Sequence, residues 1–476
     1  MKSVISRISL LLIICLCLPI LAACGQQGET NDDSSLSRGA FGWREILIWS
    51  ELAAEVESSE VSEDVSGDVT LGDVNGDGAI NSIDVLLCAQ YIASKNPSTG
   101  NTDMEISASG DVNEDGVINA ADLILIRQRV VDIDNVSLTS PEADVAVVLA
   151  NDDVYGWWST YDYETTDSMQ FWRLGDIYYP NSVTLKWVTA EKADYYMVYV
   201  SQNSDMSDYE CYFVNTNSLS IDNLFVGTKY YWQVDAFCSD KTLRSEIGSF
   251  TTADSPRALK IDGVSNTRDI GGMAVAEGYR IKQGMVYRGG KLEDITEAGI
   301  SYFKNKIGIT TDLDLRTPGE GGAGSGSPLG EDINYINING RYYVGGSGIH
   351  TDEGKALMAQ EIKVFADADN YPIYIHCSLG RDRTGTLAFM IEALLGADKN
   401  TLIMDYDMSV FSVTGTLDNA SYSGNLRTSI LDTYNYLNDN FEGEDFSEKV
   451  ENYLLSTGVT AEEIQSIRDN LLEEVK

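Results

Sequence analysis

Histidine is scarce, because the chain of 476 residues has only two, His350 and His376. Metallophosphatases bind their ions through several histidines, so this class of hydrolase is excluded. Basic residues are also few, with 33 Lys and Arg against 74 Asp and Glu and a net charge of −41. Such a charge repels polyanions, which excludes nucleic acid and anionic membrane surfaces as specific partners. Any site that binds a phosphate group must therefore be positive locally.

Cysteine is sparse as well, with seven residues in the chain. Beyond the first 24 residues four remain, namely Cys88, Cys211, Cys238 and Cys377. Four cysteines in so long a chain are too few for a disulfide-stapled scaffold. Cys211 and Cys238 can form a pair or remain buried thiols, and the sequence leaves both alternatives open.

The N-terminus has the pattern of an export signal. Lys2 and Arg7 precede an apolar run over residues 8–21, which is short for a membrane span. The run ends in Leu-Ala-Ala-Cys at residues 21–24, which resembles the bacterial lipobox. This resemblance implies cleavage of residues 1–23 and a lipid on Cys24, and hence an extracellular protein anchored at the cell surface. An ordinary secretory signal or an uncleaved anchor is the alternative. Residues 24–66 are rich in Ser, Glu, Asp and Gly, which predicts a flexible tether.

An internal repeat follows, in which residues 72–84 recur as residues 110–122. Each copy places oxygen-bearing residues at positions 1, 3, 5, 7, 9 and 12 of a loop, the spacing by which EF-hand loops bind calcium. The first set is Asp73, Asn75, Asp77, Ala79 by its carbonyl, Asn81 and Asp84; the second is Asp111, Asn113, Asp115, Val117 by its carbonyl, Asn119 and Asp122. Gly78 and Gly116 occupy the sharp turn of each loop, and each loop leads into a predicted apolar helix, over residues 85–92 and 123–130.

The paired loops resemble a dockerin, over residues 67–134. The resemblance implies an all-α domain that holds two structural Ca²⁺ ions and binds a cohesin domain of a scaffold protein. Acidic turns that bind nothing are the alternative.

Residues 140–254 are rich in Tyr, Trp and Val that alternate as in strands. The segment from Leu224 to Tyr230 resembles the tyrosine corner of a fibronectin type III domain, with Trp187 at the place of the core tryptophan. This resemblance implies a β-sandwich. It is poor over residues 144–180, where an aromatic-rich stretch indicates either a core with a spacer or a carbohydrate-binding surface.

From residue 256 onward, strand patterns over residues 309–315, 333–338 and 373–376 alternate with helical ones, which predicts an α/β domain with a mostly parallel sheet. A capping box at residues 460–463 predicts the start of the last helix. Its centre is a buried strand that runs through a tight loop, Cys377 to Arg383, into a helix. The amides of such a loop and the helix N-terminus can bind a tetrahedral dianion and favour the thiolate of Cys377. Five residues separate Cys377 from Arg383, whose planar guanidinium can bind two phosphate oxygens.

The spacing of a cysteine, five residues and an arginine resembles the signature loop of protein tyrosine phosphatases. Upstream blocks at residues 266–272, 287–292 and 312–320 resemble those of a bacterial branch that acts on phosphotyrosine, phosphoserine/threonine and phosphoinositides. A sulfurtransferase also uses a loop cysteine, but it lacks these blocks. The resemblance covers residues 256–476.

The resemblance implies a role for each residue of the loop. Cys377 attacks phosphorus, Thr384 hydrogen-bonds the departing thiolate, and Asp382 is the general acid, with Asp314 or Glu320 as the alternatives. Phosphate oxygens are expected to be held by Arg383 and by Ser378, Leu379, Gly380 and Arg381. Arg268 is a candidate substrate contact, although loop support is the commoner role for it and for Arg288 and Arg316. His376 is expected to orient the loop.

We therefore expect a multidomain, cell-surface, cysteine-dependent phosphatase that needs no catalytic cofactor, with a phosphorylated protein as its substrate. A phosphatase for phosphoinositides or other small phosphoesters is one alternative. A non-catalytic adaptor that docks through its dockerin is another, of a different class.

Overall fold

The computed structural model describes residues 70–475, except for residues 77, 79, 81, 95–105, 120–121, 124, 127–131, 143–144, 169, 172–177, 190–191, 239–240, 276–277, 341–347 and 413–427. The chain divides into two compact units, Met1–Gly67 and Asp68–Lys476. The first unit, with the predicted lipid site Cys24 and all of the predicted tether, lies outside the described residues. Within the described ranges, no helix is long and apolar enough to cross a membrane.

The repeat region forms the first part of the second unit. Its first loop leads into helix α1 (Ser82–Ser94), as predicted, and residues 122–126 after the second loop are helical where they are described. The two copies are joined through their backbones, because Gly72 N–H donates to Ser109 O at 2.7 Å. The buried apolar residues after the two loops share one core, which includes Val85, Cys88 and Leu123.

A β domain follows, formed by nine strands in one connected hydrogen-bonded network. Its strands are β1 (Asp132–Ser140), β2 (Ala146–Val147), β3 (Val183–Thr189), β4 (Tyr195–Ser201), β5 (Glu210–Val214), β6 (Ser218–Ile221), β7 (Lys229–Phe237), β8 (Thr242–Ser245) and β9 (Gly248–Thr252). The main path runs β2-β9-β7-β8-β1-β3-β6, and β4 pairs with β5 and β7. Helix α2 (Asp152–Ser159) lies between β2 and β3.

Aromatic side chains fill the core of the β domain. Trp187 from β3 and Trp232 from β7 are each 1% exposed, with ring centroids 6.5 Å apart. The hydroxyl of Tyr230 accepts the Phe225 amide at 2.8 Å, five residues upstream, which is the hydrogen bond of a tyrosine corner. This bond fixes the chain where it turns into β7.

Strand β4 is buried on both faces. Its even-numbered side chains, such as Val198, lie in the core of the β domain. Its odd-numbered side chains, including Met197 and Tyr199, pack with Val85 and Cys88 of α1. Successive side chains of a strand point to opposite faces, so the repeat region covers the outer face of this strand. The two regions therefore share one apolar cluster.

The remainder of the chain is an α/β domain with a six-stranded sheet in the order β10-β11-β13-β16-β14-β15. Its strands are β10 (Arg257–Ala258), β11 (Arg268–Asp269), β12 (Tyr279–Ile281), β13 (Val286–Gly289), β14 (Thr311–Asp314), β15 (Asn334–Asn337), β16 (Ile373–His376) and β17 (Leu472–Glu474), of which β12 and β17 form a separate pair. The pairs β13–β16, β16–β14 and β14–β15 are parallel, as the sequence predicts.

Helices cover this sheet. They are α3 (Glu297–Ser301), continued by a π-turn (Tyr302–Ile307), α4 (Asp352–Val364), α5 (Asp382–Leu394), α6 (Lys399–Asp407), continued by a 3₁₀ turn (Met408–Phe411), α7 (Thr428–Asn440), α8 (Phe446–Thr457) and α9 (Ala461–Leu471). The predicted capping box of α9 is present, because Thr460 and Glu463 exchange hydrogen bonds. Helix α5 is buried along nearly its whole length, so the loop before it has a fixed base.

Candidate active site

The Cys377 loop joins the central strand β16 to the N-terminus of α5. Strand β16 is fully buried between β13 and β14, and Cys377 itself is only 3% exposed. Gly380 has a φ of +68°. A Cβ atom at this position would lie 2.2 Å from the backbone of Gly289. The turn and the close approach of two backbones both require glycine here.

The carbonyl groups of the loop point away from its centre, toward donors from other parts of the domain. The bonds are Lys291 N–H to Ser378 O at 3.3 Å, Asn266 Nδ2 to Leu379 O at 2.9 Å and Arg288 Nη2 to Gly380 O at 2.9 Å. The C=O and N–H of a trans peptide point in opposite directions, so the amides of residues 379–381 face the other side of the chain. The loop therefore presents successive N–H groups, as an anion site requires.

Buried ion pairs hold two of these upstream residues. Arg268 donates from Nε to Asp405 Oδ1 at 2.8 Å and from Nη1 to Asn266 Oδ1 at 2.7 Å. Arg288 pairs with the other oxygen of Asp405 and is 0% exposed. Burial and the Asp405 carboxylate raise the pKa of the enclosed Glu392 well above its ordinary value, whereas the two arginines keep the pKa of Asp405 low despite its burial. One carboxylate thus holds both arginines.

Arg383 is gripped by Glu320. Its Nη1 and Nη2 atoms donate to the two Glu320 oxygens at 2.8 and 2.6 Å, and Ser378 Oγ donates to Glu320 Oε1 at 2.6 Å. These bonds lower the pKa of Glu320 to about 2, with Arg383 as the largest cause. The arginine fork is therefore oriented across the loop before any ligand binds.

The three carboxylates that the sequence analysis names as candidate general acids have different surroundings. Asp314 is 0% exposed and bound by Arg316 through two bonds of 2.9 Å, which keep its pKa low against the effect of burial. Glu320 is held as a carboxylate by Arg383. Asp382, at the start of α5, is 41% exposed and accepts the Tyr406 hydroxyl at 2.6 Å. Of the three, only Asp382 lies within the loop, and no guanidinium holds it in a bidentate pair as Arg316 holds Asp314 and Arg383 holds Glu320.

The other predicted site residues are deeper. Thr384 is 0% exposed, and its Oγ1 atom makes no hydrogen bond within the described part of the chain. Arg381 is 2% exposed, with its guanidinium 5.6 Å from the Tyr406 ring centre. Arg268 is 3% exposed and bound to Asp405 and Asn266, a geometry of loop support. The structure therefore brings Arg381 and Arg268 to the base of the loop rather than to its open side.

His376 precedes the nucleophilic position and lies beneath the loop. Its Nε2 atom is 2.9 Å from Asp312 Oδ1, and both side chains are 0% exposed. Burial acts to lower the pKa of His376, but the Asp312 carboxylate outweighs it and raises this pKa. The imidazole contacts the Cys377 carbonyl at 3.3 Å, so it supports the loop from below.

Asp405, Tyr406 and Glu392 were missed by sequence reasoning. Asp405 holds Arg268 and Arg288, Tyr406 donates to Asp382, and Glu392 is buried beside Asp405. They lie on helices α5 and α6, in no recognisable motif. The available signal was indirect, because three arginines in apolar strand contexts require buried carboxylate partners.

The predicted ligands of the calcium-type loops are all oxygen atoms. In the second loop, Asp111 accepts the amides of Asp115 and Gly116, and Asp122 accepts those of Val112, Asn113 and Asn119. Gly116 has a φ of +87°. In the first loop Asp73, Asn75 and Asp84 are described, whereas Asp77, Ala79 and Asn81 lie outside the described residues. Within the described residues, no three His, Cys, Asp or Glu side chains are close enough to form a metal site. The all-oxygen donor set nonetheless fits a hard cation.

A cavity of about 710 Å³ lies elsewhere, between the β domain and the α/β domain. Tyr212, Tyr230, Tyr287 and Tyr302 line it together with Arg257. It includes no residue of the Cys377 loop, so it is separate from the candidate active site.

Comparison with known protein families identifies two domains. Residues 259–473 match the tyrosine phosphatase family, and residues 71–131 match the dockerin type I domain. These matches confirm the two predicted domain types. A curated relative from Cupriavidus necator, named "Putative tyrosine-protein phosphatase", is 24% identical over 172 residues, which are 31% of this chain and 61% of that protein.

Solved structures resemble the chain only over parts of its length. The core catalytic domain of the PP-IP phosphatase SIW14 from S. cerevisiae, in complex with citrate, is 18% identical, with a TM-score of 0.22, and the match covers 38% of this chain and 96% of that one. A structure titled "Myokine structure" is 23% identical, with a TM-score of 0.14, and the match covers 15% of this chain and 83% of that one.

Proposed function

We propose that the chain is a cysteine-dependent phosphatase of phosphotyrosine-bearing protein, which works through a phosphocysteine intermediate. The observation that carries the proposal is the loop itself, whose carbonyls are turned outward while Glu320 holds Arg383 across it. Inward amides and a fixed guanidinium supply the positive charge that a metal supplies in other phosphatases.

In the first step, the Cys377 thiolate attacks phosphorus and the ester oxygen leaves with a proton from Asp382. In the second step, water attacks phosphorus and gives a proton to the Asp382 carboxylate, while the thiolate departs. Thr384, buried and without another hydrogen bond in the described residues, is available to donate to that thiolate. The products are the alcohol or phenol and inorganic phosphate, and the enzyme returns to its starting state.

Phosphate release from phenyl phosphate tests this chemistry. Cys377→Ser should abolish release, whereas Cys211→Ser, an exposed cysteine of the β domain, should leave it unchanged. A wild-type chain that binds phosphate but releases none would instead support the non-catalytic adaptor. A parallel screen of phosphopeptides and phosphoinositides decides between the substrate classes.

The choice of general acid has its own test. Asp382→Asn should lower turnover of phenyl phosphate about 10²–10⁴-fold, because its leaving group needs a proton. Turnover of 4-nitrophenyl phosphate should fall far less, because nitrophenolate leaves without one. If Asp314→Asn shows this dependence and Asp382→Asn does not, the assignment is wrong.

We further propose that the dockerin binds two structural Ca²⁺ ions and docks the protein on a cohesin outside the cell. The described ligands are Asp73, Asn75 and Asp84 of the first loop and the six positions of the second.

The β domain is proposed to be fibronectin type III-like, on the evidence of the Tyr230–Phe225 bond and buried Trp187. Incorporation of labelled palmitate, lost in Cys24→Ala, tests the proposed lipid anchor.

A further inference from the structure

We propose that residues 148–168, which precede the matched phosphatase family domain, are a positioning element of its active site. They act through helix α6, whose residues hold both the Cys377 loop and Asp382. This inference rests on the proposed phosphatase function. It extends the catalytic unit into a segment that the sequence resemblance leaves as a spacer.

Apolar packing attaches the segment to α6 and the 3₁₀ turn that continues it. Val154 and Trp157 of helix α2 are buried in one cluster with Met404, Met408 and Phe411. The ring centroids of Trp157 and Phe411 are 5.0 Å apart in an edge-to-face arrangement. Aromatic residues of this segment, such as Trp157, therefore pack in the interior of the protein.

Hydrogen bonds attach the segment at both ends of α6. Near the C-terminal end, the hydroxyls of Tyr161 and Ser168 donate to Asp407 Oδ2 at 2.8 and 2.9 Å. Near the N-terminal end, Asn400 Oδ1 accepts the Tyr163 amide at 2.9 Å, and its Nδ2 donates to Tyr161 O at 3.2 Å. Two fixed ends leave α6 little freedom to slide or rotate.

The residues just before Asp407 on α6 reach the catalytic loop. Asp405 pairs with Arg268 and Arg288, which hold Asn266 and the Gly380 carbonyl. Tyr406 donates to Asp382. Leu379 of the loop also packs against the aromatic cluster of the segment. A small shift of α6 would thus move the loop and the general acid together.

The test uses the full chain with Tyr161→Phe and Ser168→Ala combined, which removes two donors to Asp407 but keeps the aromatic ring. Misplacement of catalytic groups by about 1 Å can cost about 10²-fold, so a smaller shift should lower kcat on phenyl phosphate about tenfold. The loss should be smaller on 4-nitrophenyl phosphate, since Asp382 matters less there, and KM should change little. Tyr161→Phe alone should give a weaker effect in the same direction.

Tyr179→Phe is the matched control, because Tyr179 is 50% exposed and lies outside residues 148–168. It should leave kcat and the ratio between the two substrates unchanged. If the double variant lowers the melting temperature but leaves this ratio at the control value, the segment is only structural and the proposal is overturned.

Tungstate binding separates this inference from the proposed function. Calorimetry should show weaker tungstate binding in the double variant than in the Tyr179→Phe control, whether or not the protein turns over a substrate. Unaltered tungstate affinity together with an unaltered substrate ratio would overturn the positioning role. A wild-type chain that binds tungstate but never releases phosphate would overturn the proposed function alone.

Discussion

The dockerin and the phosphatase domain both bury carboxylates, but they balance the charge in different ways. Asp84 and Asp122 of the dockerin are each 0% exposed and accept backbone amides. In the phosphatase domain, three of the buried carboxylates are instead bound by guanidinium groups. These pairs are Asp269 with Arg257, Asp314 with Arg316, and Asp405 with Arg268 and Arg288.

The difference shows where each domain obtains its positive charge. In these pairs the phosphatase domain supplies its own cations, so we expect its fold and its loop to need no added ion. Backbone amides contribute dipoles but no net charge, so the clustered carboxylates of the dockerin still repel one another. The dockerin is therefore expected to depend on calcium, and the phosphatase domain is not.

Calcium removal should have the largest effect, because it should unfold the dockerin and leave the phosphatase domain unchanged. In the full chain, a chelator should abolish the protection of the α1 amides against hydrogen exchange, since binding and folding of such loops are coupled. Phosphate release should stay at its original rate. Loss of turnover in parallel with the α1 protection would contradict the comparison.

Asp405→Asn should disrupt the buried ion pairs of the phosphatase domain. It leaves Arg268 and Arg288 without their buried carboxylate, which should lower the free energy of unfolding by about 3–5 kcal/mol in urea denaturation. The loss should be the same with and without calcium. Asp439→Asn, at an exposed position on α7, is the control and should change stability by less than about 0.5 kcal/mol. A similar loss in both variants would refute the role of the buried pair.

Asp122→Asn should have a smaller effect that depends on the ion. In calcium, the loss of a ligand and of charge-assisted bonds to the backbone should destabilise the dockerin by about 2 kcal/mol. In chelator the same change should cost nothing, because it also removes a repelling carboxylate. Calcium titrations followed by α1 hydrogen exchange measure both arms. A calcium-independent loss would show that Asp122 acts only as a loop cap.

The smallest expected effect is a change in the pH dependence of stability in Glu320→Gln. Arg383 holds the pKa of Glu320 at about 2, below the value of about 4.3 for an unperturbed glutamate. The stabilisation from this pair is therefore present above about pH 4.3 and is lost as the pH falls toward 2. In Glu320→Gln the melting temperature should fall less steeply across this window than in the wild type. An unchanged slope would show that solvent screens the pair fully, since the Glu320 side chain is 37% exposed.

The sequence predicted local features well. The helix after the first calcium-type loop, the parallel strands at residues 311–314 and 373–376, and the capping box at Thr460 all follow from short-range patterns. The ion pairs below the Cys377 loop could not be predicted, because Asp405 lies more than one hundred residues from both Arg268 and Arg288. Spacing along the chain carries no information on such contacts.

The aromatic stretch before β3 shows a second limit. The sequence left open whether these aromatics form a core with a spacer or a carbohydrate-binding surface. Trp157 packs on Phe411, more than two hundred residues away, rather than in the core of its own β domain. A segment's partner depends on the tertiary arrangement, which a single sequence does not display.

The packing of strand β4 against α1 limits the exchange of this dockerin for another one. Dockerins are natural candidates for cassette exchange, but the apolar surface formed here by Met197 and Tyr199 is matched to α1. A transplanted dockerin with other side chains on this helix would leave that surface exposed to water and prone to self-association. A functional graft would need to carry the outer face of β4 along with the dockerin.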